Sequence, residues 1–439
     1  MKSSRMKSSL LKQIKQKEHC IRFHMPGHSG KSPNQEYAEL YSNAKFDITE
    51  LPYSDNLLNS TDLLKDLQKR IAMLYQAQHA FIFTNGATGA LFCAIFSAHS
   101  FADNILILGG AHKSVYNAIR LSGGNAWQAP GNWDIDTLAK QIKETNIGTL
   151  ILTSPNYQGQ TIDKDYLQAI KRLFPKLQVI VDAAHGAHFV FSDKLTDKRP
   201  IGADLIVYSL HKTLPVFTGG AILLSTAKYA EKIQFYRSML HSTSPSYPII
   251  LSIECAIDFY SKKGERIYQD IFQAVQDCKS ALPVGFKAVE NADFSRLVLS
   301  CQDYNCMDVY NALAEQGIYA EAADRDRIIF IVTQNNYTAL PILCNALAAI
   351  VVSLPLKGKP IENCPLPQDI FLLKFAKDFE LKEPKDCIGK TCYSELGLYP
   401  PGTPFLFSGQ KITKSHVNFI LEHHSALFGL VNGKVCVVK

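Results

Sequence analysis

The sequence predicts an α/β fold with a large domain, whose mostly parallel sheet is covered by helices, and a smaller C-terminal α+β domain. Short apolar runs alternate with helical stretches through the first half of the chain, and the runs become polar at their C-terminal ends. This alternation is typical of a parallel sheet with helices on both faces. After about residue 245 the pattern changes to long helical segments and then to a smaller mixed unit.

Six segments are strand candidates: 79–88, 104–114, 147–156, 177–186, 203–212 and 219–226. Helical stretches follow the first two candidates, at 88–99 and 112–123. Ligands of such sheets collect at the carboxyl ends of the strands, so we expect the polar residues found there to share one edge. These residues are Asn85, Gly86, His112, Asn156, Asp182 and His211.

The change in pattern along the chain predicts four parts: an N-terminal arm at 1–45, the large domain at 46–245, connecting helices at 246–285 and the α+β domain at 286–439. The most apolar stretch, 339–356, contains Asn345 and is bounded by prolines, which favours a core helix over a membrane span. Asn432–Gly433 predicts a hairpin turn near the C-terminus.

The formal net charge is +6, and most of it lies in the first seventeen residues, which hold six Lys or Arg and no acid. The rest of the chain is near neutral, so we expect no nucleic-acid partner. The basic start lacks an apolar segment and is not a secretory signal. We therefore expect a cytoplasmic protein without a membrane segment.

Eleven scattered cysteines fit reduced thiols in a cytosol. Two pairs, Cys301 with Cys306 and Cys387 with Cys392, each have a four-residue gap. Neither has the spacing of a zinc site, so we expect no metal.

The stretch 24–32, "HMPGHSGKS", is similar to the end of a phosphate-binding P-loop, since Gly30, Lys31 and Ser32 fit its second half. Met25 stands where the motif needs its first glycine, and a charged segment precedes it in place of a buried strand. These differences exclude a P-loop, and the stretch needs another explanation.

A lysine and an aspartate at strand ends are candidates for cofactor chemistry. Lys212 in "SLHKTL" follows an apolar strand, where its amine could form a Schiff base with a carbonyl cofactor. Asp182 in "VIVDAAHGAH" could pair with a protonated ring nitrogen, as pyridoxal phosphate requires. A surface lysine and a helix-capping aspartate are the alternatives for each residue taken alone.

Two further segments add a possible phosphate site and a stacking ring. "TNGATGAL" at 84–91 is a glycine turn that opens a helix, whose free N–H groups can hold phosphate, and Thr88 could add a hydroxyl. His112 in "GGAHKSVYNA" could stack on a flat ring. Each signal is modest, and their order along one sheet edge is more informative.

The phosphate turn, the stacking histidine, the aspartate and the lysine follow one another along the chain in that order. With this order the chain resembles the pyridoxal-phosphate-dependent Orn/Lys/Arg decarboxylases, which have the aspartate-aminotransferase (type I) fold. The resemblance covers about residues 20–410. It rests on eight motifs: "FHMPGHSGK", "FDITELPYSDNL", "TNGATG", "GGAHKSVYNA", "DAAHGAH", "SLHKTL", "HSTSPSYPI" and "LYPPGTP". "HMPGH" then matches the family's N-terminal signature.

The resemblance implies a role for each matching residue. Lys212 would be the cofactor lysine, Asp182 would face the pyridine nitrogen and His112 would stack on the ring. The resemblance also places Gly86, Ala87, Thr88, Ser209 and His211 around the phosphate and the Schiff base, with Ala184 against the other face of the ring. A proton would return to the substrate from Lys212 or His211.

The implied reaction is decarboxylation of lysine, arginine or ornithine, by a homodimer or higher oligomer in which 241–248 reaches the partner's cofactor. Ala87 and Gln410 depart from the family pattern, which has a hydroxyl and an acid there, and the chain resembles the short form of the family. Transamination, racemisation or β-elimination on the same fold, and a non-catalytic cofactor-binding protein, are the alternatives. None of Arg296, Arg325 and Arg327 matches an aminotransferase motif.

Overall fold

The computed structural model describes residues 9–301, 303–350, 369–399 and 402–439. The chain has the predicted α/β fold, with a large mixed sheet accompanied by helices and with smaller sheets towards the C-terminus. It divides into two compact units that interleave along the sequence. Unit 1 takes the described residues up to 97 together with 183–196 and 204–265, and unit 2 takes 98–182, 197–203 and the described residues after 265. The four parts expected from the sequence stay a prediction.

The strands of the described residues are, in chain order, β1 His79–Phe83, β2 Asn104–Leu108, β3 Asn125–Ala129, β4 Thr149–Thr153, β5 Gln178–Asp182, β6 Leu205–Ser209, β7 Ala221–Ser225, β8 Phe286–Ala288, β9 Arg296–Cys301, β10 Ala322–Ala323, β11 Arg327–Ile331, β12 Phe371–Leu372, β13 Phe379–Lys382, β14 Leu396–Leu398, β15 Thr403–Leu406, β16 Leu427–Phe428 and β17 Val435–Val438. The α-helices are α1 Leu10–Gln16, α2 Leu63–Tyr75, α3 Gly86–His99, α4 Lys113–Ser122, α5 Ile135–Glu144, α6 Lys164–Leu173, α7 Ala230–Leu240, α8 Tyr247–Ser280, α9 Cys306–Glu315, α10 Leu340–Ile350 and α11 Lys414–Glu422.

In unit 1, β7 lies between β1 and β6 and runs antiparallel to both. The sequence pattern does not reveal this direction. A short 3-10 turn at Leu210–Lys212 and a glycine turn join β6 to β7. A parallel return needs a longer crossover, usually a helix, so the chain comes back antiparallel.

In unit 2, β5, β4, β2 and β3 are neighbours in that order, and the three pairings between them are parallel. Residues of β4 and β5 are buried almost throughout, as the apolar runs predict for a sheet covered on both faces. Asp182 is the last residue of β5 and is 3% exposed. A carboxylate at that depth requires polar or charged partners.

Three smaller sheets of unit 2 follow in the chain. Their strand orders are β10-β11-β9-β8, β13-β17 and β15-β14-β16. The last two of these sheets have an apolar core of their own, which includes Leu396, Leu406, Ile420 and Val435. The expected α+β character of this part of the chain is therefore present.

Two local predictions in this region have clear outcomes. The apolar stretch at 339–356 forms helix α10 up to Ile350, with Leu343 and Leu347 buried, and the rest of the stretch lies outside the described residues. Asn432 and Gly433 form a tight turn with positive φ angles of 51° and 75°. Val431 and Lys434, on either side of the turn, form an antiparallel bridge with two backbone hydrogen bonds of 2.9 and 3.0 Å, so the predicted hairpin turn is confirmed. Strands β16 and β17 themselves pair with β14 and β13.

The expectation that all cysteines are free thiols is wrong for Cys301 and Cys306. They form a disulfide between the end of β9 and the start of α9. Their Cα atoms lie 5.8 Å apart, inside the range that a disulfide needs. Eight other described cysteines are free, and Cys364 lies outside the described residues.

The N-terminal arm is joined to unit 1 through helix α1. The carboxylate of Glu254, a buried residue of α8, accepts the backbone N–H of Leu10 at 2.9 Å and that of Leu11 at 3.0 Å. These are among the four N–H groups that lack a partner at the start of any helix. Arg70 on α2 lies 3.4 Å from the same carboxylate.

The "HMPGH" stretch forms turns, and it does not have the strand followed by a helix that a P-loop contains. His28 Nδ1 accepts the N–H of Gly30 at 3.0 Å, and its Nε2 lies 3.2 Å from the carboxylate of Asp47. Among the residues that the structure describes, every helix is too short or too polar to span a bilayer.

Candidate active site

The end of strand β6 positions Lys212. Leu210, which is fully buried, begins a 3-10 turn that anchors the backbone, since its carbonyl accepts the N–H of Leu214 at 2.9 Å. Lys212 ends this turn and is half-buried. Lys212 is therefore positioned at the end of β6 by a hydrogen-bonded turn.

Lys212 Nζ lies 3.2 Å from Nε2 of His185, within unit 1. His185 is 8% exposed and follows β5 in a turn, where Gly186 N–H donates to the carbonyl of Ala183. This histidine lies within the motif "DAAHGAH", but sequence reasoning assigned it no role. Its position three residues after a strand-end aspartate was the available signal.

A hydrogen bond to the backbone fixes the tautomer of the neutral His211 ring. Its Nδ1 lies 3.2 Å from the carbonyl oxygen of Gly220, which can only accept, so the neutral ring carries its proton on Nδ1 and leaves Nε2 as a base. Burial lowers the pKa of His211, and the positive charge of Lys212 acts in the same direction, while the bond to Gly220 opposes it. Ser209 Oγ lies 3.3 Å from the same Nδ1.

The glycine turn at the start of α3 is fixed by backbone contacts. Gly86 N–H donates to the carbonyl of Gly219 at 2.8 Å, and Gly86 has a φ of +80°. A Cβ at Gly219 would lie 2.8 Å from the carbonyl oxygen of Thr84, so this close approach requires glycine. Ala87 and Thr88 lie in the first turn of α3, where backbone N–H groups are available to an anion.

The imidazole of His241 joins this turn to the start of 241–248. Its Nε2 accepts the N–H of Thr84 at 3.0 Å, and its Nδ1 donates to the carbonyl of Ser242 at 2.8 Å. Both nitrogens are satisfied only in the neutral ring. Burial lowers the pKa of His241, which favours that form.

In unit 2, the imidazole of His112 is fixed at the N-terminus of α4. Its Nδ1 accepts the N–H of Ser114 at 3.2 Å and lies 2.7 Å from the hydroxyl of the same residue. Gly402, in the "YPPGTP" motif, accepts the N–H of Lys113 at 3.0 Å. A Cβ at Gly402 would lie 2.9 Å from Cδ2 of His112, so two motifs far apart in sequence together set the ring position.

Asp182 is also in unit 2, and its backbone is bound to the residue that follows the neighbouring strand β4. The N–H of Ser154, which follows β4, donates to the Asp182 carbonyl at 3.0 Å. Thr153 Oγ1 donates to the carbonyl of Gly110, two residues before His112, at 2.9 Å. The strand-end residues of this unit are thus linked to one another by hydrogen bonds.

The predicted site residues therefore fall into two sets. Unit 1 contains Gly86, Ala87, Thr88, Ala184, Ser209, His211 and Lys212, and unit 2 contains His112 and Asp182. Among the described residues, no three His, Cys, Asp or Glu side chains are grouped as a metal site would require.

Gln410 has a local structural role. Its side-chain oxygen accepts the N–H of Phe407 at 3.0 Å, and its backbone N–H returns a bond to the Phe407 carbonyl at 3.1 Å. A glutamate oxygen could accept the first of these bonds equally well. Glutamine at this position therefore preserves the turn.

Comparison with known proteins identifies the family of this chain. A family model described as "Orn/Lys/Arg decarboxylase, major domain" matches residues 6–302, more than half of the chain. The chain belongs to the Orn/Lys/Arg decarboxylase family, as its motifs predicted. Further comparisons describe particular relatives.

Two bacterial proteins are similar over nearly their whole length. The uncharacterized protein YaaO of Bacillus subtilis is 26% identical and covers 90% of this chain and 89% of its own. An arginine decarboxylase of Bacillus anthracis is 25% identical, and the match covers 93% of this chain and 91% of that protein. A solved structure of the Escherichia coli constitutive lysine decarboxylase superposes with a TM-score of 0.80 at 16% identity, covering 98% of this chain and 82% of its own. That superposition supports the fold.

Proposed function

We propose that this protein is a pyridoxal-phosphate-dependent decarboxylase of a basic amino acid, lysine, arginine or ornithine, that releases the amine and CO₂. The observation that carries the proposal is the half-buried amine of Lys212, 3.2 Å from His185 at the end of β6. Family membership and the decarboxylase names of the relatives support the reaction class.

The available donor groups fit pyridoxal phosphate. The start of α3 offers N–H groups and the Thr88 hydroxyl to a phosphate, and Lys212 offers an amine to a carbonyl. Asp182 offers a carboxylate to a pyridine nitrogen, and the fixed ring of His112 offers a flat surface. In the proposed site, the phosphate and the Schiff base would also be surrounded by Gly86, Ala87, Ser209 and His211. Ala184 would lie against the face of the cofactor ring opposite His112.

When bound, pyridoxal phosphate supplies a protonated ring that draws electrons away from the bond to the substrate carboxylate. The carboxylate of Asp182 would keep the ring nitrogen protonated. Lys212 would hold the cofactor covalently through its amine. His211, with Nε2 unprotonated, would accept or return a proton near Lys212, and His185 would orient the lysine amine.

The surroundings of Arg296 and Arg327 support decarboxylation over transamination. An aminotransferase normally holds the substrate carboxylate with an arginine. Arg296 is fully buried, with Nε 3.9 Å from the carboxylate of Asp293, and Arg327 donates to Gln158. Arg296 therefore has no surface to offer a substrate. Racemisation and β-elimination, and a cofactor-binding protein without catalysis, stay the alternatives.

We further propose a cytoplasmic homodimer or higher oligomer. The N-terminal arm exposes large apolar side chains, with Phe23 99%, Ile21 86% and Leu40 80% exposed in the single chain. Water contact at such side chains is unfavourable, and a second copy of the chain would cover them. Sedimentation should detect no monomer at micromolar concentration, and a fully active monomer would contradict this part of the proposal.

The decisive experiment supplies lysine, arginine and ornithine separately to the purified protein with pyridoxal phosphate, with and without a keto-acid acceptor. Equal amounts of amine and CO₂ without the acceptor would support decarboxylation. Turnover that requires the acceptor would replace the proposal with transamination.

A further inference from the structure

The loop after β4 begins beside the residues proposed to hold the cofactor ring. Ser154 N–H donates to the carbonyl of Asp182, and Thr153 donates to Gly110 near His112. Tyr157 is three residues further along. Three extended residues span at most about 11 Å, so the Tyr157 backbone lies within that distance of Ser154.

The side chain of Tyr157 holds a carboxylate. Its hydroxyl donates to Oε1 of Glu321, immediately before β10, at 2.7 Å. Burial raises the pKa of Tyr157, and the bond to Glu321 raises it further, so the phenol keeps its proton and acts as the donor. The Glu321 side chain is exposed, whereas Tyr157 is half-buried.

The loop that carries Tyr157 is held rigidly. The Gly159 carbonyl accepts the N–H groups of Ala292 and Asp293, both at 3.1 Å. A Cβ at Gly159 would lie 3.0 Å from Cβ of Arg296, so the loop packs directly on that fully buried arginine. Arg327 donates to the side-chain oxygen of Gln158 on the same loop. Glu321 is therefore bound to a loop with little freedom, as specific recognition requires.

We propose that Glu321, oriented by Tyr157, binds the terminal cation of the substrate side chain and so selects basic amino acids. This inference rests on the proposed function. A carboxylate has several acceptor positions, so Glu321 can accept the Tyr157 bond and also a bond from an ammonium or guanidinium group. The carboxylate is exposed in the single chain, so it is accessible to a cation.

The test is the substitution Glu321→Gln, which removes the charge but keeps an oxygen that can accept the Tyr157 bond. We expect kcat/KM for the preferred basic amino acid to fall about 10- to 100-fold, mainly through KM, as for loss of a hydrogen bond to a charged group. The kcat/KM for norleucine, a neutral analogue of lysine, should not fall. Glu315→Gln, at an exposed acid of the same unit, should match the wild type.

A binding measurement separates this inference from the proposed function. Calorimetric titration of the holoenzyme with 1,5-diaminopentane measures recognition of a basic side chain without any reaction, and Glu321→Gln should weaken it by a similar factor. If the wild type decarboxylates basic amino acids and the variant keeps wild-type constants for them, the inference is wrong and the proposed function stands. If no basic amino acid reacts, weaker diamine binding by the variant still supports a cation site, and unchanged binding overturns it. Glu321→Asp keeps the charge and should retain most of the affinity, which excludes misfolding as the cause.

Discussion

Lys212 and His185 are neighbours through their side chains, with Nζ of the lysine 3.2 Å from Nε2 of the histidine. One lies after β6 and the other after β5. His185 is buried and its backbone is fixed by a turn, so it can hold the amine of Lys212 in one direction. The first two predictions follow from this pair.

Replacement of Lys212 by alanine should abolish covalent attachment of pyridoxal phosphate. Borohydride reduction of the loaded wild type, followed by peptide mapping, should place the label on Lys212, and activity of the variant should fall by about 10⁴-fold or more. Lys232→Ala, at an exposed lysine of α7, is the control. A label on any other lysine would remove Lys212 from the site.

His185→Ala should keep the cofactor but lower kcat by about 10- to 100-fold, because the lysine amine loses the group that orients it. The pH profile of kcat should change as well, which a purely structural role would not cause. His185→Gln retains a polar side-chain nitrogen and should recover part of the activity. His79→Gln, at an exposed histidine of β1, should have no effect, and an unchanged pH profile in His185→Ala would contradict the role.

Asp182→Asn should bind pyridoxal phosphate yet lose roughly 100-fold or more in turnover, because the amide cannot stabilise a protonated ring nitrogen. Cofactor binding is measured by absorbance and turnover by CO₂ release. Asp193→Asn, at an exposed aspartate, controls for loss of a negative charge. Wild-type turnover in Asp182→Asn would place the ring nitrogen elsewhere.

Gly402→Ala should weaken cofactor binding because its Cβ would displace the ring of His112. Gly389→Ala is a matched control, since Gly389 also has a positive φ, of 78° against 85°, but no atom lies within 4 Å of the position that a Cβ would take there. Both variants should lose about 1 kcal/mol or more of stability from backbone strain. Only Gly402→Ala should also lower affinity for pyridoxal phosphate, measured by equilibrium titration, and equal affinities would show that His112 does not contact the cofactor.

Acidification should destabilise the fold through His241. The folded-state pKa of this histidine is lowered from 6.5, so the unfolded chain binds more protons and stability falls as pH drops through and below that value. A protonated ring would also turn an N–H towards that of Thr84. Chemical denaturation from pH 8 to pH 5 should show a smaller decrease for His241→Gln than for the wild type.

The sequence alone predicts the strands and the position of Lys212 and Asp182 at strand ends, because each residue ends or follows a buried apolar run. The pattern of apolar residues indicates which segments are buried, and burial is what predicts these strands. The pattern does not indicate which side chains contact each other, so the contact between Lys212 and His185 is visible only in the folded structure. The same holds for Gly402 against His112, for the Cys301–Cys306 disulfide and for Tyr157 with Glu321, where residues distant in sequence or on different elements meet.

The carboxylate of Glu254 makes the stability of unit 1 depend on the N-terminal arm. It accepts the first two N–H groups of α1 while it is buried in α8. Deletion of the arm up to residue 17 would remove both donors and leave this anion inside unit 1 beside Arg70, and buried acids that lose partners are costly. The first helix therefore takes the place of water around an interior charge, so truncation of the arm should lower the stability of unit 1.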